Sequence, residues 1–107
     1  MSEEKGLRER LEEVIRNEWS EYELRREIPA SELGADFGAK KYSYGLYYNG
    51  QPKAMMMVLT DRNEYRKKSV MLSKDACYEK GVAYMNFMSH LPNRSDYISR
   101  RLRENIG

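Results

Sequence analysis

The chain of 107 residues has one cysteine, Cys77, and one histidine, His90. A lone cysteine makes no internal disulfide, which points to a reducing, cytoplasmic setting. One residue of each kind also leaves no ligand spacing for zinc. No apolar run approaches the ~20 residues of a membrane span. No charged start leads through an apolar segment to a small-residue cleavage site, so no secretory signal is expected. Gly34 and Gly38 have neither the spacing nor the following lysine and hydroxyl of a phosphate-binding loop. Between Phe37 and Thr60 there is no Asp or Glu at all.

What remains is ordinary for a folded domain. Hydrophobic residues make up 40% and charged residues 34%, too apolar for a disordered chain. The length suits one domain over 1–107. The formal charge of +2 hides a split. Residues 1–38 carry 11 acids against 6 bases, and residues 39–107 carry 13 bases against 6 acids. A basic remainder attracts nucleic acid or acidic proteins by counterion release and steering, while a solvated surface of mixed sign explains the same counts.

Residues 7–19 read as an amphipathic helix, with Leu7, Leu11, Val14, Ile15 and Trp19 recurring at spacings of three and four. Residues 21–28 read as a strand whose apolar face carries Tyr22 and Leu24 and is rejoined by Ile28, ended by Pro29. A loop over 30–40 follows. Strands at 41–48 and 53–59 flank Asn49-Gly50, a pair suited to the positive backbone angles of a type I′ turn. The run Ala54 to Leu59 is continuously apolar and so belongs in the middle of a sheet. A helix over 62–80 starts at Asp61 with Glu64 in capping-box spacing and stops at Gly81. A strand at 82–88 and a helix at 95–105 complete the chain. Strand, helix, strand in succession predicts a right-handed crossover and parallel pairing. The fold class is therefore α/β in the broad sense (α+β), a single mixed sheet flanked by helices in the order αβββαβα.

Reactive groups are few. Cys77 falls on or beside an apolar helix face and reads as a small core residue rather than a nucleophile. His90 follows the last strand, where such sheets often host ligands, but a lone histidine also serves as a plain loop residue. Met55, Met56, Met57, Met71, Met85 and Met88 suit either an adaptable binding surface or a gap-filling core. Nine tyrosines leave a similar choice between stacking on bases or a partner and simply covering a small sheet.

The element order from Tyr42 to Phe87, with the first helix and strand in support, resembles the core of the restriction-endonuclease-like fold, the PD-(D/E)XK nuclease superfamily. The hairpin Tyr44 to Leu59 and the strand Gly81 to Phe87 carry the likeness. The resemblance implies an acid on the second strand and an acid-x-lysine on the third. There the acids hold magnesium and the lysine helps to activate water. In this sequence the first acid would fall between Tyr44 and Leu46 and the second on Met56, Met57 or Val58, with its lysine at Val58, Leu59 or Thr60. None of these side chains is charged, and methionine and valine cannot hold a hard divalent cation, which demands oxygen ligands.

The favoured expectation is thus a non-catalytic, nuclease-like domain with no cofactor that binds a partner. Nucleic acid is the candidate, held by Arg62, Arg66, Lys67 and Lys68 of the second helix and Arg100, Arg101 and Arg103 of the last. An alternative is a protein-interaction or homodimerisation module, from the aromatic hairpin and the acidic-to-basic polarity. A further alternative is a divergent magnesium-dependent nuclease using Asp61, Glu64 and either Glu18 or Glu21. No membrane partner is expected.

Overall fold

The computed structural model describes residues 3–106, with side chains described from residue 6 onward. Helix α1 spans Glu3–Glu18, starting four residues before the amphipathic stripe does. Leu7, Leu11, Val14 and Ile15 are buried along one side of it. A turn closed by Tyr22 N–H donating to Trp19 C=O (3.0 Å) leads to strand β1, Glu23–Ile28. The segment expected to be a loop contains a 3₁₀ turn at Ala30–Leu33. Strands β2 (Tyr42–Tyr48) and β3 (Gln51–Leu59) form the hairpin, and Asn49 and Gly50 take φ of 52° and 77°, the left-handed pair that the turn demands. Helix α2 is Lys68–Lys80, strand β4 is Ala83–Met88 and helix α3 is Ser95–Ile106.

The sheet has the order β1-β2-β3-β4. β1 with β2 and β2 with β3 are antiparallel, and β3 with β4 is parallel through the α2 crossover. The sheet is therefore mixed, and α1 and α3 cover one face while α2 and the 3₁₀ turn cover the other. β3 is buried on both sides. Ala54, Met56 and Val58 face α1 and α3, and Met55, Met57 and Leu59 face α2. That settles the methionines: Met55, Met56, Met57 and Met85 are core, and Met71 alone of the six is largely exposed. No described helix is long and apolar enough to cross a membrane.

Two details depart from simple alternation. Ile28 was expected on the face of Tyr22 and Leu24, but it packs on the α2 side, and so does its partner Tyr42. The switch coincides with Glu27, whose φ of 52° lies in the left-handed region. On the next strand Ser43 Oγ accepts the Val58 N–H (2.9 Å) in place of a backbone carbonyl. Ile28 reaches across Gly45: a Cβ on Gly45 would lie 2.3 Å from Ile28 Cδ1 and 2.9 Å from Met55 Sδ. Gly45 is thus required by side-chain packing.

The second correction concerns α2. Its first residue is Lys68, not Arg62. The capping signal is real but serves a different element. Glu64 reaches back to the N–H groups of Thr60 (3.2 Å) and Asp61 (3.4 Å), and Asp61 Oδ1 accepts from Asn63 N–H (2.9 Å). These bonds close a 3₁₀ turn at Glu64–Arg66, after which Lys67 takes an extended conformation and starts α2 without a side-chain cap.

Candidate functional site

Strand direction gathers charge. β1, β3 and β4 run one way and β2 the other. The segments after β3 and β4 and before β2 therefore meet at one end of the sheet. They bring Arg62, Arg66, Lys67 and Lys68, then Arg94, then Lys40 and Lys41 to that end. Arg10 of α1 joins them, since its Nη1 donates to the carbonyls of Pro92 (3.0 Å) and Asn93 (2.9 Å).

The acids nearby are already engaged. Lys40 Nζ donates to Glu64 Oε2 at 2.6 Å, and Glu27 pairs with Lys41 at 3.3 Å and Arg8 at 3.8 Å. Arg62, Arg66, Lys67, Lys68 and Arg94 are exposed and form no ion pair among the described residues. Tyr65, half exposed, stands among them. Arg66, Lys67 and Lys68 crowd the positive end of α2, whose first turn contains no acid. Like charge at that end of a helix is unfavourable, and an anion would relieve it.

Glu64 holds this segment in shape. It is 9% exposed. Burial pushes its carboxyl up, but the Lys40 ammonium and the N–H groups of Asp61 and Thr60 outweigh that and hold it below its ordinary value. Lys40 is itself fixed to α2. Its N–H donates to Ser69 C=O (2.9 Å), and its carbonyl accepts from Ser73 Oγ. Tyr42 Oη donates to Ser73 C=O (2.6 Å), extending the network into the core. Glu64 is thus a structural acid tied to lysine and backbone.

Of the other named acids, Asp61 is exposed in the same segment, whereas Glu18 accepts from Ser99 Oγ of α3 and Glu21 lies in the turn before β1, at the hairpin end. Among the described residues no group of three or more His, Cys, Asp or Glu is placed to hold a metal ion. The basic residues also divide. Arg62 to Lys68 lead into α2 on one face, whereas Arg100, Arg101 and Arg103 belong to α3 on the other. Arg101 is committed internally. It donates to Asn86 C=O on the edge strand, and its guanidinium stacks 4.7 Å from the Phe87 ring. Arg100 pairs with Glu104 at 3.7 Å, and Arg103 is exposed.

The hairpin aromatics are mostly spent inside. Tyr42, Tyr44 and Tyr47 are buried, and Tyr44 and Tyr47 donate to Glu12 and Glu32. Tyr48 remains 44% exposed and rests on Tyr22. Cys77 is buried, donates to Tyr42 Oη at 3.5 Å, and burial pushes its thiol up to about 11. It behaves as a small apolar residue. Sequence reasoning missed Lys40, Lys41, Arg10 and Arg94, because only strand direction, and for Arg10 its bonds to the turn after β4, reveal that they share an end with Arg62 to Lys68.

Comparisons with family models, with curated proteins and with solved structures found no match.

Proposed function

We propose that this chain is a non-catalytic binding module for a polyanion, with the nucleic-acid backbone as its target. One observation carries the reading: four exposed cations without ion pairs among the described residues, Arg62, Arg66, Lys67 and Lys68, lie on a short segment that Glu64 holds in place. A backbone fixed beforehand spares the cost of ordering the segment on binding, and each exposed cation then loses only its own side-chain entropy. Tyr65 offers a ring face for a base, and Arg94 extends the charge along the same end. The contacts would be to phosphates, which set position and affinity rather than sequence preference.

The likeness to nuclease cores belongs to this proposal. Where such a hairpin would hold its metal acids, β3 carries Met56, Met57 and Val58, all buried. That favours a fold kept for binding without cleavage. The experiment is a titration of labelled duplex and single-stranded DNA across a salt series. Four phosphate contacts give a slope of log K against log[salt] near −3.6 on duplex, or ~10²-fold weaker binding from about 50 to 200 mM salt. Absence of binding at low salt refutes the proposal.

A further inference from the structure

We propose that the cleft between the start of α1 and the turn after β4 binds a nucleoside monophosphate, free or as the phosphorylated end of a strand. The cleft is about 360 Å³, lined by Gly6, Leu7 and Arg10 of α1 and by residues 89–93. That lies in the size range of small-ligand sites. The turn is built rigidly. Ser89 N–H donates to Leu59 C=O (2.8 Å), and Asn93 adopts a left-handed φ of 48° with 3% of its surface exposed.

Asn93 Nδ2 donates to the carbonyls of Met88 (2.7 Å) and Leu91 (2.8 Å), which fixes the amide. Among the described residues its buried Oδ1 has no donor, and the buried His90 Nδ1, in the same lining, has no partner. An unpaired buried polar atom is costly to a fold. A hydroxyl suits each of them, since it donates to Asn93 Oδ1 and either donates to or accepts from His90 Nδ1. Arg10 adds the charge. Its Nη1 is held by the Pro92 and Asn93 carbonyls, and it has no carboxylate partner among the described residues. The cleft therefore asks for an anion with a hydroxyl close by.

The turn has a second hollow, about 270 Å³, lined by Leu91, Pro92, Asn93, Arg94 and Tyr97. It shares Leu91, Pro92 and Asn93 with the first and is apolar, with one aromatic wall. A flat ring suits it. Phosphate on Arg10, sugar hydroxyls on Asn93 and His90, and base toward Tyr97 together describe a nucleotide. None of these contacts uses Arg62 to Lys68, so this inference and the proposed function fail separately.

The test is ¹H–¹⁵N NMR of the full chain titrated with adenosine monophosphate, adenosine or inorganic phosphate. Adenosine monophosphate should move the Asn93 side-chain amide and His90 ring signals and saturate below millimolar, with adenosine and phosphate each at least about tenfold weaker. His90→Ala should weaken binding by about tenfold at unchanged melting temperature, and Arg10→Lys by a similar factor. Unmoved Asn93 and His90 signals at about 10 mM nucleotide overturn the proposal, as does movement confined to Arg62–Lys68, which would mean that the cleft holds only solvent. A 5′-phosphorylated oligonucleotide that competes where its 5′-hydroxyl twin does not would identify the strand end as the ligand. Competition by neither would identify the free nucleotide.

Discussion

Replacing Glu64 by Gln isolates the group that shapes the basic segment. The amide has nearly the same volume, so packing is kept, but the charge that Lys40 Nζ meets at 2.6 Å is gone. One of the two side-chain oxygens becomes a donor. Glu64 now uses Oε2 for Lys40 and Oε1 for the N–H groups of Thr60 and Asp61, so the amide can serve only one set. A hydrogen bond to a charged group contributes about 1.5–3 kcal/mol. The Lys40 side chain is 36% exposed, which places the loss at the lower end, about 1–2 kcal/mol near neutral pH. The pH dependence follows from the direction of the shift. The Glu64 carboxyl lies lower in the folded state than its ordinary value of 4.5. Its stabilisation is therefore fully present above that value and fades as pH falls through the folded one. Urea unfolding of both proteins at pH 7 and near pH 3 measures this. The gap between them should be present at pH 7 and shrink on acidification. An equal gap at both values, or none at pH 7, would refute the role given to this carboxylate.

Other outcomes follow from the same packing. Gly45→Ala puts a methyl 2.3 Å from Ile28 Cδ1 and 2.9 Å from Met55 Sδ, both deeply buried. Overpacking costs about 1–3 kcal/mol and is offset by the ~0.5–1 kcal/mol gained from leaving glycine, so chemical denaturation should show net destabilisation. A further change of Ile28→Val should recover part of it. Cys77 should resist thiol reagents at pH 8 in the native state and react promptly in denaturant, because it is buried and its thiol lies near 11; rapid native labelling would contradict the packing around it. Glu12→Gln should weaken the contacts that this carboxylate makes with Arg26 and Tyr44, bridging α1 to β1 and β2, by about 1 kcal/mol or less, as Arg26 is exposed. Thermal melts would register it.

How much of this was legible in the sequence depended on how local the cause was. The hairpin turn rests on two residues, Asn49 and Gly50, and could be read directly. The burial of β3 on both faces was written in its unbroken apolar run. The start of α2 was misplaced because Asp61 and Glu64 carry a capping pattern that also fits a 3₁₀ turn, and only the Lys40 contact shows which one forms. Ile28 changes face through the backbone at Glu27, which no side-chain pattern announces. The basic residues were visible as a count, but their grouping was not. Strand direction brings Lys40, Lys41 and Arg94 to the end that holds Arg62 to Lys68, and the Pro92 and Asn93 carbonyls bring Arg10 there, while Arg100, Arg101 and Arg103 end on the far face of the sheet. His90 was noticed for its place after a strand, and its buried Nδ1 emerged only with the turn built around Asn93.

The most direct test of the binding proposal compares two triple variants on one labelled DNA duplex over a salt series. Arg66, Lys67 and Lys68 are changed to alanine in one, and Arg100, Arg103 and Arg94 in the other. Alanine at the first three sites should flatten the slope of log K against log[salt] by about 2–3 and abolish most binding at physiological salt. The second variant should lose no more than the single contact expected from Arg94, about 0.9 in slope. Equal losses in the two proteins, or wild-type affinity in the first, would contradict the placement of the nucleic-acid surface at the carboxyl end of the parallel strands.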